Sequence, residues 1–315
     1  MACRRFLRPL RYDPHHPQAA RCKRLSMNPN ILNWLPDNRA ILRNVVSKVI
    51  VVAYREDVDR LVSSFVTEGF DVDVLRTNYS EAELRYSRAS RTFLNHRNAW
   101  HKAADVDGYT LICEADFVPC RGIGGFRVFW PLENTCAWGY LYQGSPRLIA
   151  LVGSQRFLRS HAAPTVCYIV NRTVASLMIK FFDDERSRHD LQSYFTFEAH
   201  MQWYLMGLGA EAFMPWYHYG EHGGLPNPEH ARSGLTSNKG EHRADNLMSS
   251  LHFLPAYANN SYLLFLRVRL TAHLIGFGRL LTGRWIVKTN VYNCDGLARA
   301  RMYLIGLRRL LSLPL

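Results

Sequence analysis

The run YTLICEADFVPC, residues 109–120, sets two carboxylates, Glu114 and Asp116, at the end of an apolar stretch. Side chains at i and i+2 of an extended segment point to the same side, so the spacing predicts two acids that repel each other. A cation between them relieves that repulsion. Carboxylate oxygens suit hard divalent ions such as Mn²⁺ or Mg²⁺, which are commonly shared with the phosphates of a substrate. Two solvated acids at a strand end would leave the same pattern. A second concentration of titratable groups lies in WYHYGEHGGLPNPEH, residues 216–230, where His218, Glu221, His222, Glu229 and His230 surround glycines and prolines. Loops with special backbone demands often carry sites. A zinc centre there would need an HExxH or cysteine partner, and neither is present.

Elements that could position these groups are legible from Val45 onward. VVSKVIVVAY is a β-branched run suited to a buried strand. Val58, Leu61, Val62 and Phe65 then recur at helical spacing, with Gly69 closing the helix, and VDVL reads as a second strand. Strand, helix and strand at these lengths predict a right-handed crossover in an open α/β sheet with parallel strands. Residues 91–106 predict a helix, Asp107-Gly108 a turn, and YTLIC a third strand. Ligands of such sheets bind beyond the carboxyl ends of the strands, where Glu114 and Asp116 fall. Further on, CAWGYLY and RLIALVG read as short strands, TVCYIVN as a strand followed by a helix, and residues 190–217 as an aromatic helix and a last short strand.

The stretch FLNHRNAWHKAADVDGYTLICEADFVP resembles glycosyltransferase family 25, the lipopolysaccharide and collagen sugar transferases. Asn95-His96 and Ala99-Trp100 match one family segment, and Glu114-Ala115-Asp116 matches its Glu-Asp-Asp-like motif, with Ala115 in place of the central acid. The resemblance spans roughly residues 45–215 and is carried mainly by 93–119. It implies an α/β fold: a GT-A-like open mixed sheet flanked by helices. It further implies inverting transfer from a nucleotide-sugar donor, a UDP-sugar in particular, to a cell-surface glycan or lipid-linked acceptor. On that reading Asp116 and Glu114 hold Mn²⁺ or Mg²⁺ on the donor diphosphate, and a late histidine, His218 or His222, completes the metal shell. His96, Glu114, Thr165 and Tyr168 fall where the donor is contacted. Inversion needs a base on the acceptor hydroxyl; Glu198 is the first candidate and Asp190 the second. The loss of the central acid leaves open a degenerate fold that binds without catalysis. A metal-dependent phosphoryl or nucleotidyl transferase would share the carboxylates, but the chain has no phosphate-cradling loop for it.

The formal charge of +13 is concentrated at the two ends. Residues 1–48 and 261–315 each carry +8, and the body between them carries −3. A slightly acidic body argues against nucleic acid as a partner, while the basic ends suit an anionic membrane surface. Residues 1–44 read as a basic tail without the apolar core of a secretory signal, 45–258 as the catalytic domain, and 259–315 as a basic amphipathic helical extension. Leu263, Leu266, Leu270, Leu274, Phe277 and Leu281 repeat at steps of three and four, with Arg269, His273 and Arg279 on another face. The longest stretch there without Arg or Lys, nine residues from Leu270 to Gly278, is far short of the roughly 20 that span a bilayer. The expectation is a cytoplasmic protein bound peripherally at the inner face of a membrane, with the alternative that both helices pack on the core and their arginines snorkel. Seven scattered cysteines without a CxxC pair predict free thiols.

Overall fold

The computed structural model describes residues 40–152, 157–161, 165–225 and 243–312. A single helical turn, α1 (Leu42–Val45), leads into β1 (Val46–Ala53), whose β-branched side chains are buried over its last five residues. Helix α2 (Asp59–Thr67) buries Leu61 and Phe65, and the chain returns as β2 (Val72–Arg76), parallel to β1. Helix α3 (Arg88–Asp105) starts where the Ser87 hydroxyl accepts from the Ser90 amide, one of the orphan donors of a helix N-terminus. Strand β3 (Tyr109–Glu114) then lies parallel to β1 on its other side. The crossover unit expected of the first three strands is therefore present.

Beyond β3 the sheet becomes mixed. The short strand β4 (Phe117–Pro119) leaves it, and β5 (Ala137–Tyr140), β6 (Arg147–Val152), β7 (Phe157–His161) and β8 (Cys167–Asn171) follow. After helices α4 (Arg172–Arg186) and α5 (Phe197–Gly207) come β9 (Glu211–Met214) and β10 (Gly220–His222). The eight-stranded order is β2-β1-β3-β8-β5-β9-β7-β6, with β8 antiparallel to β3, and β10 pairs with β4 in a separate two-stranded sheet. Helices α3, α4 and α5 cover one face of the large sheet, around Phe93, Trp100, Phe181 and Met201; α2 and the segment after β4 cover the other, around Phe65, Phe117 and Trp130. This mixed sheet flanked by helices agrees with the GT-A-like architecture expected.

The chain ends in α6 (Tyr262–Leu281), α7 (Lys288–Asn293) and α8 (Gly296–Leu311). They join the sheet at its β6 edge, where the Leu148 amide donates to Trp285 O at 2.7 Å and the Val287 amide donates to Leu148 O at 2.9 Å. Helices α6 and α8 approach closely because Gly306 has no side chain: a Cβ there would meet Leu280 and Trp285 at 2.7 Å. Cys113, Cys120, Cys167 and Cys294 are free, whereas Cys136 is disulfide-bonded, so the expectation of seven free thiols fails at that position.

Candidate active site

Glu114 is the last residue of β3, paired with Val52 of β1, and its amide donates to Val166 O at 2.9 Å. Its carboxylate ends a directed chain of hydrogen bonds. Trp100 Nε1, on the buried face of α3, donates to the Tyr168 hydroxyl of β8 at 2.7 Å. That hydroxyl is 2.9 Å from His96 Nδ1, and His96 Nε2 is 3.2 Å from Glu114 Oε1, which also accepts from Thr165 Oγ1 at 3.0 Å. The indole can only donate, so the Tyr168 oxygen accepts from it and passes its own hydrogen to Nδ1, leaving the Nε2 hydrogen for Glu114. Burial pushes the Tyr168 phenol well above its ordinary range and keeps it a donor. The four residues expected at the donor, His96, Glu114, Thr165 and Tyr168, are thus one connected group.

The two acids do not share an extended strand. Ala115 and Asp116 form a turn between β3 and β4, because the chain must leave the large sheet to build the β4–β10 pair. That pair sets His222, opposite Phe117, beside Asp116. His222 Nε2 lies 3.1 Å from Asp116 Oδ2, while the Gly223 amide donates to Asp116 O at 2.7 Å. Burial alone disfavours both charges, yet each offsets the other's penalty: His222 is held above its ordinary pKa by the carboxylate, and Asp116 below its own by His222 and Arg243. Asp116 Oδ1 is enclosed and has no hydrogen-bond partner among the described residues. A buried, ionised oxygen without a partner is costly, and a divalent cation is the partner its chemistry suits. The chemistry of Asp116 suits a hard cation, but Glu114, Asp116 and His222 do not bring three ligand atoms within reach of one ion; among the described residues that arrangement is found at Glu185, His189 and His200.

The loop that carries His222 is strapped from behind. Arg243 Nη1 donates to His222 O, and its Nη2 donates to Gly224 O at 2.8 Å. Glu221 is fully buried; its Oε1 accepts from the His222 and Ala244 amides, and Arg269 of α6 pairs with its Oε2 at 2.6 Å. Sequence reasoning missed Arg243 and Arg269 in this role, since nothing local links either to a site that β3 and β10 assemble. Gly224 closes the loop against the pair, and a Cβ there would collide with Asp116 Oδ2 and lie 3.0 Å from His222 Nε2.

Glu198 stands in the first turn of α5, half-buried, and its carboxyl is pushed up to about 7, by burial foremost and by the Glu114 charge as well. The Glu114 charge therefore acts on it, and a carboxyl near 7 is present in both protonation states around neutrality. Asp190 does not join it: the residue is exposed, and its oxygens accept from the Gln192 amide at 3.0 Å and Ser193 Oγ at 2.8 Å, closing a local turn. His218 also stands apart from Asp116. Fully buried, it lies 3.2 Å from Asp245 Oδ1 and 2.8 Å from Arg309 Nη2, in a cluster that ties α8 to the body. Glu229 and His230 lie outside the described residues.

No protein-family model matches the chain, and no curated protein matches it. Among solved structures, the chain is similar to the crystal structure of a glycosyltransferase involved in the glycosylation of the major capsid of PBCV-1. The identity is 10% and the TM-score 0.35, over 53% of this chain and 81% of that one.

Proposed function

We propose that the protein is a glycosyltransferase that moves a sugar, with inversion, from a nucleotide-sugar donor of the UDP-sugar kind to a hydroxyl of a cell-surface glycan or lipid-linked acceptor. The observation that carries this reading is the enclosed Asp116 Oδ1, without a partner among the described residues, just past the carboxyl end of the central strand β3. The family 25 resemblance in residues 93–119 supports it, because His96, Trp100 and Glu114 from that segment form one hydrogen-bonded chain with Tyr168.

Asp116 and Glu114 would hold Mn²⁺ or Mg²⁺, with His222 fixing the orientation of Asp116. When bound, the ion supplies a counter-charge for the diphosphate leaving group. The chain's own residues do the rest. His96 and Thr165 fix Glu114 against rotation. Glu198, with a pKa of about 7, takes the proton from the acceptor hydroxyl as that oxygen attacks the anomeric carbon, and the sugar–phosphate bond breaks on the opposite side. One observation favours a second reading: Ala115 stands where the family motif has an acid, and it packs against the core below the sheet. In that reading the fold binds a nucleotide sugar without turning it over.

A thermal-shift titration with nucleoside diphosphates and UDP-sugars, with and without Mn²⁺, tests both. Stabilisation by one nucleotide that needs Mn²⁺ and disappears in Asp116→Asn is the expected result, and donor hydrolysis in the same conditions separates the active from the binding-only form. A panel without any shift would remove the nucleotide-sugar reading.

A further inference from the structure

We infer that α6 and α8 dock the protein on the surface of an anionic phospholipid bilayer, through a leucine face turned away from the core. Helix α6 exposes a row of leucines that a helix packed on a protein in water would ordinarily bury. Three of its polar side chains, Arg269, His273 and Arg279, point inward. Arg269 pairs with buried Glu221, His273 Nδ1 is 3.0 Å from Asp245 O, and Arg279 reaches Gly144 O and Pro146 O at 3.4 and 3.3 Å. Helix α8 repeats the arrangement, with Arg309 fully buried on Asp245.

Phe265, Ala272 and Leu280 of α6 and Met302, Ile305 and Leu310 of α8 pack inward, while a row of leucines on each helix points out. Leu263, Leu270, Leu274 and Leu281 of α6, spaced seven and four residues apart, lie along one line of the helix. Leu297, Leu304 and Leu311 of α8 do the same at steps of seven. All seven are between 60 and 84% exposed. Scattered exposed leucines need no explanation, but two aligned rows on adjacent helices form an interaction surface. A cleft of about 660 Å³ beside the first half of α6, lined by Leu247, Leu251, Phe265 and Leu266, shares Leu263 and Leu270 with that surface and extends it.

The charges on the face select the occupant. Every exposed charged residue of the two helices is an arginine: Arg267, Arg301 and Arg308. Asp295 is the single acid between residues 261 and 315. A second copy would bring like charges together across the contact. A phospholipid surface accepts both components at once, the leucines entering the acyl boundary while the arginines stay with the phosphates. Among the described residues no helix is long and apolar enough to cross a membrane, so the pair lies on the surface.

The test is flotation of the full chain with vesicles of phosphatidylcholine alone and of phosphatidylcholine mixed with phosphatidylglycerol. The variants are Leu270→Gln/Leu274→Gln/Leu304→Gln and Arg267→Gln/Arg308→Gln. The wild type is expected to float with the mixed vesicles, less so in high salt. The leucine variant should bind about a hundredfold more weakly, and the arginine variant about tenfold more weakly on the mixed vesicles. Because the substituted side chains are exposed, circular dichroism should be unchanged. Absence of flotation, or a leucine variant that floats like the wild type, overturns the inference. So does a concentration-dependent dimer that the leucine variant dissociates in the absence of vesicle binding, which would assign the face to a second copy. The readout is vesicle binding, so its outcome is independent of any donor chemistry at Asp116.

Discussion

His222 holds one oxygen of the Asp116 carboxylate at 3.1 Å, and the other is enclosed without a hydrogen-bond partner among the described residues. An imidazole held above its ordinary pKa keeps Asp116 ionised, so the free oxygen carries negative charge into the site. Asp116→Asn removes that charge while preserving volume. A nucleotide present at about a hundred times its Kd should stabilise the wild type by about 2.7 kcal/mol with Mn²⁺, and should leave the variant unshifted. His222→Ala, which frees Asp116 to rotate, should weaken Mn²⁺ binding by about 10- to 100-fold. If Asp116→Asn keeps the Mn²⁺-dependent shift, the ion is held elsewhere.

Gly224 offers a test that leaves both chemical groups intact. A methyl at this position collides with Asp116 Oδ2 and crowds His222 Nε2, so Gly224→Ala must separate the pair or move the loop. Gly224 is buried just past β10, and the loop is anchored independently by Arg243 and Arg269. The expected outcome is a loss of Mn²⁺-dependent nucleotide binding comparable to that of His222→Ala, with global stability reduced by about 1–3 kcal/mol. Unchanged nucleotide affinity would show that the pair has no part in the site.

Glu198→Gln separates the base from the donor group. Glutamine keeps the shape of the side chain but cannot take a proton. Transfer should fall by about 10²–10⁴-fold, while donor binding by thermal shift stays within about twofold of the wild type. The base works ionised, so wild-type kcat should decline as pH falls through about 7, and the residual rate of the variant should lack that limb. A variant with near wild-type kcat would disqualify Glu198.

What the sequence made legible is what is local. The β-branched run of β1, the spacing of Leu61 and Phe65 in α2, and the apolar run of β3 each satisfy a rule within a few residues, and each is present as expected. The grouping of His96, Glu114, Thr165 and Tyr168 came from the family resemblance, which sets all four at the donor, and the structure joins them by hydrogen bonds. The turn at Ala115–Asp116 was not legible, since it exists to serve pairing with β10 about a hundred residues later. Helix α6 shows a different limit. Its repeat was correct, but a repeat tells which residues share a face and not which face meets the core. Glu221 and Asp245 lie beneath α6, and they draw Arg269 and His273 inward and turn the leucines out.

The last prediction concerns His218, which the structure places in a structural cluster instead of at the cation site. Arg309 donates to its Nε2 at 2.8 Å, and Nδ1 is buried without a partner among the described residues. Burial, foremost, and the neighbouring guanidinium push the imidazole down to about 4, against an ordinary 6.5, although Asp245 acts in the opposite direction. Above the ordinary value both native and unfolded states are neutral at this residue, and it contributes no slope. Between the two values the unfolded chain binds a proton that the native state refuses, so stability is lost as pH falls. The loss attributable to His218 should be about 2 kcal/mol between about pH 7 and pH 5, and about 3 kcal/mol once the native value is passed. Urea unfolding across that range should show the decline in the wild type and a flatter curve in His218→Gln. An equal slope in both would place the acid sensitivity on another group and leave His218 with packing alone.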